Sequence, residues 1–374
     1  MNRREFLKRT CMLAAGIGFS PLILDIFFKR LYSSSLVPFR KEGKYYKNID
    51  EETVQCELCP RKCTLTSGQR SFCRAREPKD GKLYSLVYGL PCAVHIDPIE
   101  KKPLFHFIPG SKIFSIATAG CNFRCKYCQN WSISQFPPED TDNENLLPED
   151  VVKTTIKMNC PSIAYTYTEP AIFYEYMLDV AKLARAKGIK NMYHSNGSLN
   201  PEPAEELAQY LDGANIDLKA FNQDFYSEVC AGFLDTVLNT LKILKRKGVW
   251  VEITNLVVPS LNDNLNQIRD MCIWIKQNLG KETPLHFSRF WPQYKLTSLP
   301  PTPVSTLESA REIAQEVGLN FVYIGNVPGH KAENTYCPEC QKVVIRRTGY
   351  SILENYIEEG RCRFCKYPFP GVWS

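Results

Sequence analysis

Three cysteines with a short spacing lie between residues 119 and 128, directly after a run of β-forming residues. Cys121, Cys125 and Cys128 form the pattern C-x3-C-x2-C. Cysteine thiolates are the usual ligands of iron–sulfur clusters, and a cluster of four irons normally takes four of them. Three ligands leave one iron with an open position, where a metal site can do chemistry. We therefore predict a [4Fe–4S] cluster on these thiols. A zinc site that takes its fourth ligand from elsewhere in the chain is the alternative.

Two further groups of four cysteines flank this triplet. They are Cys56, Cys59, Cys63 and Cys73 before it, and Cys337, Cys340, Cys362 and Cys365 after it. The later group consists of two C-x2-C pairs with 21 residues between them. That spacing suits a zinc ribbon, although a second iron–sulfur cluster or a pair of disulfides would also use these residues. The earlier group is predicted to hold a metal, either as an auxiliary cluster or as zinc.

The composition agrees with a metal-binding globular protein. The 374-residue chain has 16 cysteines, 44% hydrophobic residues and 23% charged residues. These proportions are typical of folded proteins. Disulfide scaffolds are short and secreted, so a chain of this length with C-x2-C pairs is expected to bind metals instead. The net charge is +6, without the basic patch and interleaved aromatics that a nucleic-acid partner requires.

The first residues have the pattern of a twin-arginine leader or anchor, which we assign to residues 1–31. Arg3 and Arg4 precede Glu-Phe-Leu-Lys, and an apolar stretch covers residues 11–24. Such a leader is read by a receptor and is not part of the fold. The apolar stretch is shorter than the ~20 residues of a spanning helix, so a cleaved signal and a retained anchor are both open. A basic tail with no export role is the alternative. Membrane contact is expected only through this leader, if it is retained.

From residue 112 onwards, short β-forming runs alternate with amphipathic helix-like segments. This alternation predicts βαβ units and a parallel sheet. The predicted strands cover residues 113–119, 162–167, 191–195, 214–218, 250–258, 285–290 and 320–324. They indicate an α/β protein with a partial or full (β/α) barrel at residues 112–330, whose functional groups collect at the C-terminal ends of the strands. A linker with a cysteine-rich module (32–111) and a four-cysteine ribbon (331–374) flank the barrel.

The triplet and its surroundings resemble the radical S-adenosylmethionine (SAM) superfamily. Within it, the chain is similar to the pyruvate formate-lyase activating enzyme group and, more closely, to the radical enzyme of the AmmeMemoRadiSam system. The resemblance covers about residues 55–374. Besides the triplet, it is carried by CELCPRKC (56–63), DPIEKKP (97–103), YTYTEP (165–170), IDLK (216–219) and YIGN (323–326).

The resemblance implies both a cofactor and a reaction. The amino and carboxylate groups of SAM bind the open iron, and the reduced cluster cleaves SAM to a 5′-deoxyadenosyl radical that abstracts hydrogen from a substrate. It also places five residues near SAM or the substrate, namely Tyr127, Glu169, Asn196, Asp217 and Lys219.

Each of these five residues has a simpler structural interpretation. Tyr127 could serve only in packing, Glu169 could begin a helix, and Asn196 could belong to a turn. Asp217 and Lys219 share one face of a strand, since residues i and i+2 point the same way. Inside a barrel they would form a buried ion pair, which is costly unless it has a function.

The resemblance also implies partners. A low-potential electron donor is required, and the substrate is either a glycine of a protein partner or a small molecule or peptide, with an AmmeMemo-type protein as a candidate partner.

The competing functional class is a non-catalytic iron–sulfur electron carrier or binding protein, which would hold a fully ligated cluster. The leader suggests export or membrane anchoring, whereas SAM and low-potential electrons are cytoplasmic supplies.

Overall fold

The computed structural model describes residues 40–374. The predicted leader at residues 1–31 and the linker as far as residue 39 lie outside the described residues. Within residues 40–374, no helix is both long and apolar enough to cross a membrane. The described chain consists of a small N-terminal module, a central sheet with its helices, and a small C-terminal module.

Two small antiparallel sheets form the N-terminal module. Their strands are β1 (Lys41–Glu42), β2 (Tyr46–Asn48), β3 (Thr53–Cys56), β4 (Thr64–Thr66), β5 (Arg76–Lys79) and β6 (Lys82–Ser85). The strand orders are β1-β6-β5 and β2-β3-β4. Successive side chains of a strand point to opposite faces, and on β3 this buries Val54 and Cys56. The first cysteine of the N-terminal group therefore points into the module.

An eight-stranded sheet forms the centre of the molecule. Its strands are β7 (Pro91–Pro98), β8 (Lys112–Thr118), β9 (Ser162–Tyr165), β10 (Lys190–Ser195), β11 (Gly213–Asp217), β12 (Trp250–Val257), β13 (Leu285–Arg289) and β14 (Val322–Gly325). They follow one another across the sheet from β14 at one edge to β7 at the other. Strands β8 to β14 are parallel, which confirms the predicted α/β class. Because β7 and β14 are the two edges, the barrel is partial.

Strand β7 extends this sheet beyond the predicted barrel strands. It runs antiparallel to β8, from Pro91 opposite Thr118 to Pro98 opposite Lys112. The predicted barrel began at residue 112 and did not include this strand. Proline cannot donate to a β-ladder and is confined largely to edge strands, as it is at both ends of β7. The strand carries the segment 97–103 towards the barrel interior.

Helices follow most of the parallel strands. They are Trp131–Ser134, Pro148–Lys157, Tyr174–Ala186, Pro201–Ala208, Gln223–Phe225, Leu234–Arg246, Leu265–Leu279 and Val304–Val317, with 3-10 turns at Ile99–Lys101, Pro138–Asp140, Pro170–Phe173 and Lys331–Glu333 and a π-turn at Tyr226–Cys230. Helix Leu234–Arg246 illustrates why they form. Val237, Leu241 and Leu244 are buried at helical spacing, and the acidic first turn and basic last turn suit the helix dipole.

The C-terminal module is made of short antiparallel strands, β15 (Thr335–Tyr336), β16 (Val343–Thr348), β17 (Ser351–Asn355), β18 (Ile357–Glu358) and β19 (Arg361–Cys362). Buried Arg347 attaches the module to the barrel. Its Nη2 donates to the carbonyl oxygen of Phe105 at 2.9 Å, and its guanidinium lies 4.1 Å from the centre of the Phe105 ring. The Nδ1 atom of His106 also lies 2.9 Å from the carbonyl oxygen of Pro370.

Candidate active site

A cavity of about 640 Å³ lies inside the partial barrel. A volume of this size is typical of sites that enclose a small-molecule cofactor or ligand. All eight residues predicted for the cluster and for SAM or substrate contact line this cavity, namely Cys121, Cys125, Cys128, Tyr127, Glu169, Asn196, Asp217 and Lys219. The structure therefore brings together residues that are distributed over about a hundred positions of the sequence.

The loop that carries the triplet is fixed by backbone contacts. Gly120 follows β8 with φ +99°, a conformation that side chains other than glycine rarely adopt. The backbone N–H groups of Arg124 and Lys126 donate to the carbonyl oxygens of Cys230 and Val229, at 2.8 and 2.9 Å. These two acceptors belong to the π-turn Tyr226–Cys230. Cys230, which was not predicted as a site residue, thus contacts the triplet loop.

The thiols of the triplet have the surroundings that a cluster requires. The backbone N–H of Phe123 donates to the Cys121 sulfur at 3.3 Å, and Ser134 Oγ lies 3.2 Å from the Cys128 sulfur. Hydrogen bonds to sulfur tune iron–sulfur sites. Burial raises the pKa of the Cys128 thiol, and a bound cation would favour the thiolate form that binds iron. The donor set therefore fits an iron–sulfur cluster with three protein ligands.

Glu169 is presented to the cavity by a turn after β9. The predicted strand 162–167 ends at Tyr165, because Tyr167 adopts a left-handed conformation with φ +61°. The Glu169 carboxylate caps the 3-10 turn that follows and accepts from the N–H of Ala171 at 3.0 Å. The helix-start interpretation is therefore correct in geometry, while the same side chain also lines the cavity.

Other donors also hold the Glu169 carboxylate. Oε1 accepts from Ser195 Oγ at 2.7 Å and from Tyr193 OH at 3.2 Å, and Oε2 accepts one bond, from the N–H of Asn196 at 2.8 Å. Burial raises the pKa of Glu169 despite these bonds. A cation in the cavity would restore the charged form, because an opposite charge favours the carboxylate.

Asp217 and Lys219 form the predicted ion pair at the end of β11. Lys219 Nζ donates to Asp217 Oδ2 at 2.9 Å, and His194 Nε2 lies 3.5 Å from Asp217 Oδ1. Burial alone would raise the pKa of Asp217, but Lys219 and His194 outweigh it and hold the pKa well below its usual range. His194 was not singled out in the sequence, because its neighbour Asp217 lies 23 positions later. Asp217 and Lys219 thus place a negative and a positive charge in the wall of the cavity.

Tyr127 and Asn196 are tied to the triplet loop. Tyr127 OH lies 3.4 Å from the sulfur of Cys230, and its ring is buried beneath Lys219 Nζ at 5.9 Å. Asn196 Nδ2 donates to Asn122 Oδ1 at 2.8 Å. The turn that contains Asn196 therefore also holds the triplet loop in position.

A second polar group reaches the cavity through Lys101, Lys102 and Tyr167, and it was not predicted as a site. Asp97 Oδ2 accepts from Lys102 Nζ at 2.6 Å and from Ser115 Oγ at 2.9 Å, and the hydroxyl of Tyr167 donates to the same oxygen. Asp97 Oδ1 accepts from Lys101 Nζ at 2.9 Å. The DPIEKKP segment carried the resemblance, but its placement in the cavity depends on the pairing of β7 with β8.

Lys102 is expected to titrate near neutral pH. Burial lowers the pKa of its ammonium to about 8, although Asp97 opposes the shift. As the pH rises through about 8, the folded protein releases a proton that the unfolded chain keeps until about 10.4. In this window the unfolded state binds more protons, so the contribution of Lys102 to the free energy of unfolding rises with pH. The Cε resonances of 13C-lysine-labelled protein measure this titration.

The Lys102→Arg variant identifies the signal, because it should lose the one resonance that moves near pH 8 and keep the others. A spectrum in which every lysine titrates near its ordinary value would contradict this prediction.

The four cysteines of the C-terminal module lie close together. Within the described residues they are the one group of three or more metal-ligand side chains whose donor atoms all lie within 4.8 Å of one another. The sulfurs of Cys337 and Cys365 are 3.5 Å apart, and those of Cys340 and Cys362 are 3.8 Å apart. A tetrahedral zinc with Zn–S bonds near 2.3 Å places its sulfurs about 3.8 Å apart. The spacing therefore fits a single ion.

The thiols of the N-terminal group line a second, smaller cavity of about 20 Å³. This group contains Cys56, Cys59, Cys63 and Cys73, and no three of these sulfurs lie within 4.8 Å of one another. All fifteen cysteines between residues 56 and 365 are free thiols. The isolated ones, such as Cys160 and Cys272, are buried as small apolar side chains.

Comparisons with known proteins agree with this geometry. The sequence profile of the Radical SAM superfamily matches residues 115–274, which include the triplet. Uncharacterized protein MJ0808 of Methanocaldococcus jannaschii is 49% identical over 87% of this chain and 97% of its own length. Pyruvate formate-lyase-activating enzyme of Clostridium pasteurianum is 24% identical over 42% of this chain and 66% of its own length.

A solved structure, a radical SAM methyltransferase from Sphaerobacter thermophilus, matches with a TM-score of 0.47. The match is at 12% identity and covers 83% of this chain and 84% of that one.

Proposed function

Since the chain belongs to the radical SAM superfamily of enzymes, we propose that Cys121, Cys125 and Cys128 hold a [4Fe–4S] cluster. The cluster would lie beside a SAM site in the barrel cavity. The observation that carries the proposal is the shared cavity of about 640 Å³, which these thiols line together with Glu169, Asp217 and Lys219. When bound and reduced, the cluster and SAM supply a 5′-deoxyadenosyl radical that takes hydrogen from the substrate.

The residues of the chain orient and shield the cofactor. Glu169 Oε2 accepts one hydrogen bond from the chain and has a second lone pair for the ammonium of SAM. Asp217 and Lys219 offer a carboxylate and an ammonium to the polar groups of the ligand. Buried Tyr127 lies immediately before the last thiol and presents an apolar ring to the cavity.

Replacing Cys125 with alanine is expected to abolish the binding of SAM to the cluster. The measurement is the low-temperature electron paramagnetic resonance (EPR) spectrum of the reduced protein, with and without SAM. In the unmodified chain SAM should change the signal of one cluster, because it binds the open iron directly.

The matched control is Cys160→Ala, which removes a thiol that is also buried but lies outside all three groups. It should keep the SAM-dependent change. A change of equal size in Cys125→Ala would rule out the assignment of the triplet.

We propose that the substrate is a glycine of a protein partner, with an AmmeMemo-type protein as a candidate. Relatives named as activating enzymes support a protein substrate and a separate reductant. The surface beside the cavity also suits a protein, since Trp131 and Phe136 are each more than a third exposed and follow the cavity-lining Asn130. Trp131 stacks on Tyr294 at 5.3 Å between ring centres.

The source of the hydrogen atom tests the substrate class. Extract from cells grown on deuterated glycine is separated into macromolecules and small molecules, and each fraction is added to reduced enzyme and SAM. Deuterium in 5′-deoxyadenosine from the macromolecular fraction is the expected result. Deuterium from the small-molecule fraction alone would contradict a protein substrate.

For the C-terminal module we propose a structural zinc on Cys337, Cys340, Cys362 and Cys365. The spacing of the sulfurs supports one tetrahedral ion rather than a cluster, whose thiolates each bind a different iron and therefore lie farther apart. Zinc in such a site contributes directly to folding.

A further inference from the structure

We propose that Cys56, Cys59, Cys63 and Cys73 hold a second [4Fe–4S] cluster, which passes electrons to the cluster on the triplet. The metal site stands on the geometry of the N-terminal module alone. Its role as a relay rests on the proposed function of the triplet.

The spacing of the four thiols favours a cluster over a single ion. They line one small cavity, but no three of their sulfurs lie within 4.8 Å of one another. Sulfurs on a single zinc lie about 3.8 Å apart. The thiolates of a [4Fe–4S] cluster each bind a different iron and therefore lie farther apart. The N-terminal thiols are spread more widely than those of the C-terminal module, as are the thiols of the triplet.

The charges around this cavity suit an anionic cluster. Arg61 and Arg76 line the same cavity as the thiols. A [4Fe–4S] cluster with four thiolates carries net negative charge, and a buried anion needs a compensating cation. Arg76 already forms a buried ion pair with Glu175, which leaves Arg61 as the cation without a carboxylate partner among the described ion pairs. Its guanidinium lies 3.8 Å from the centre of the Phe72 ring.

The two cysteine sites share a wall. A Cβ atom built on Gly120 would lie 2.3 Å from the carbonyl oxygen of Cys73, so the two loops are in direct contact. Arg61 Nε donates to the carbonyl oxygen of Asn122 at 3.3 Å, and Asn122 lines the small cavity next to Cys121 in the chain. No layer of protein separates the second site from the triplet loop.

Arg124 also connects the triplet loop to the N-terminal group, which supports electron transfer between the two sites. Its Nη1 donates to the carbonyl oxygen of Cys121 at 2.7 Å, and its Nη2 donates to the carbonyl oxygen of Phe72. The guanidinium of Arg124 also lies 4.0 Å from the centre of the Phe72 ring. Phe72 is therefore held between Arg61 and Arg124, beside Cys73 of the second site.

The position of the second site excludes a role in substrate binding. None of its four thiols lines the large cavity, and four protein ligands leave no open iron. Cys63 lies between exposed Lys62 and Thr64, so the site approaches the protein surface. A low-potential one-electron donor protein would lose one electron here. The second cluster would accept it and give it to the triplet cluster, where one electron is consumed for each SAM cleaved.

Metal analysis of the full-length chain tests the site. After anaerobic reconstitution with iron and sulfide, we expect about eight irons and one zinc per chain, from two clusters and the C-terminal ion. The triple variant of Cys121, Cys125 and Cys128 to alanine should retain about four irons and four sulfides. Loss of all iron from that variant, or about four irons with two zincs in the unmodified chain, would overturn the proposal.

The double variant Cys59→Ser/Cys63→Ser tests the relay. It should lose the second cluster and fast reduction by a reduced ferredoxin, while dithionite, which is small enough to reach the triplet cluster directly, still reduces it. The control Cys92→Ser removes a thiol outside the groups and should keep all iron. Equal reduction by ferredoxin in the double variant and the control would overturn the relay. If unmodified protein releases no 5′-deoxyadenosine but keeps eight irons, the proposed function fails and the metal site stands.

Discussion

Replacing Cys340 with serine is expected to unfold residues 331–374 and open the active-site cavity. A structural zinc contributes roughly 10–16 kcal/mol of apparent binding free energy in small zinc-dependent folds, which far exceeds what the short strands β15 to β19 can supply. Hydrogen–deuterium exchange of the full-length chain measures the effect, and the segment 331–374 should lose its protection while strands β8 to β13 keep theirs.

Loss of the module should also reduce activity, because Glu333, Gly349 and Tyr350 line the cavity. Cys92→Ser is the matched control and should leave both zinc content and exchange unchanged, since Cys92 lies on β7 and outside the metal groups. Protection of residues 331–374 that survives complete removal of the metal would contradict the structural role of the ion.

Replacing Glu175 with alanine is expected to lower the free energy of unfolding by roughly 3–5 kcal/mol. Arg76 Nη2 donates to both carboxylate oxygens of Glu175, at 2.8 and 2.7 Å, and the two side chains are only 1% and 2% exposed. Removing the carboxylate leaves the guanidinium buried without its counter-charge, and the Lys44 N–H also loses its acceptor. The pair connects β5 to helix Tyr174–Ala186, so its loss should loosen the N-terminal module. Urea unfolding followed by circular dichroism measures the change.

An exposed ion pair provides the control for this prediction. Glu205 pairs with Arg246 at 2.7 Å, but their side chains are 45% and 60% exposed. Such surface pairs contribute about 0–1 kcal/mol, so Glu205→Ala should shift the midpoint little. Equal effects of Glu175→Ala and Glu205→Ala would show that the buried pair does not hold the module in place.

The sequence predicted the parts of the fold that depend on local patterns. The seven parallel strands follow from short β-forming runs between amphipathic helices, and the triplet follows from its spacing. Strand β7 was not predicted as part of the sheet, because its membership depends on pairing with β8 rather than on its own residues. The end of β9 was placed two residues late, since nothing in the local sequence indicates that Tyr167 takes a positive φ.

The sequence predicted those site residues that lie together on one strand or one loop. Asp217 and Lys219 lie two positions apart, and their shared face follows from strand geometry. His194, Lys102 and Cys230 reach the same region from other strands and turns, and only tertiary contacts reveal them. The four thiols of the N-terminal group were predicted to hold a metal, which stays a prediction. Their contact with the triplet loop depends on the packing of Cys73 against Gly120.

Above all, we infer that a cluster on Cys121, Cys125 and Cys128 cleaves SAM. The most direct measurement is the release of 5′-deoxyadenosine when full-length protein, loaded with iron and sulfide under anaerobic conditions, is mixed with dithionite and SAM. We predict release from the unmodified chain and from Cys160→Ala, and none from Cys125→Ala. A fully loaded triplet cluster that yields no 5′-deoxyadenosine, or release that persists in Cys125→Ala, would show that this cluster does not cleave SAM.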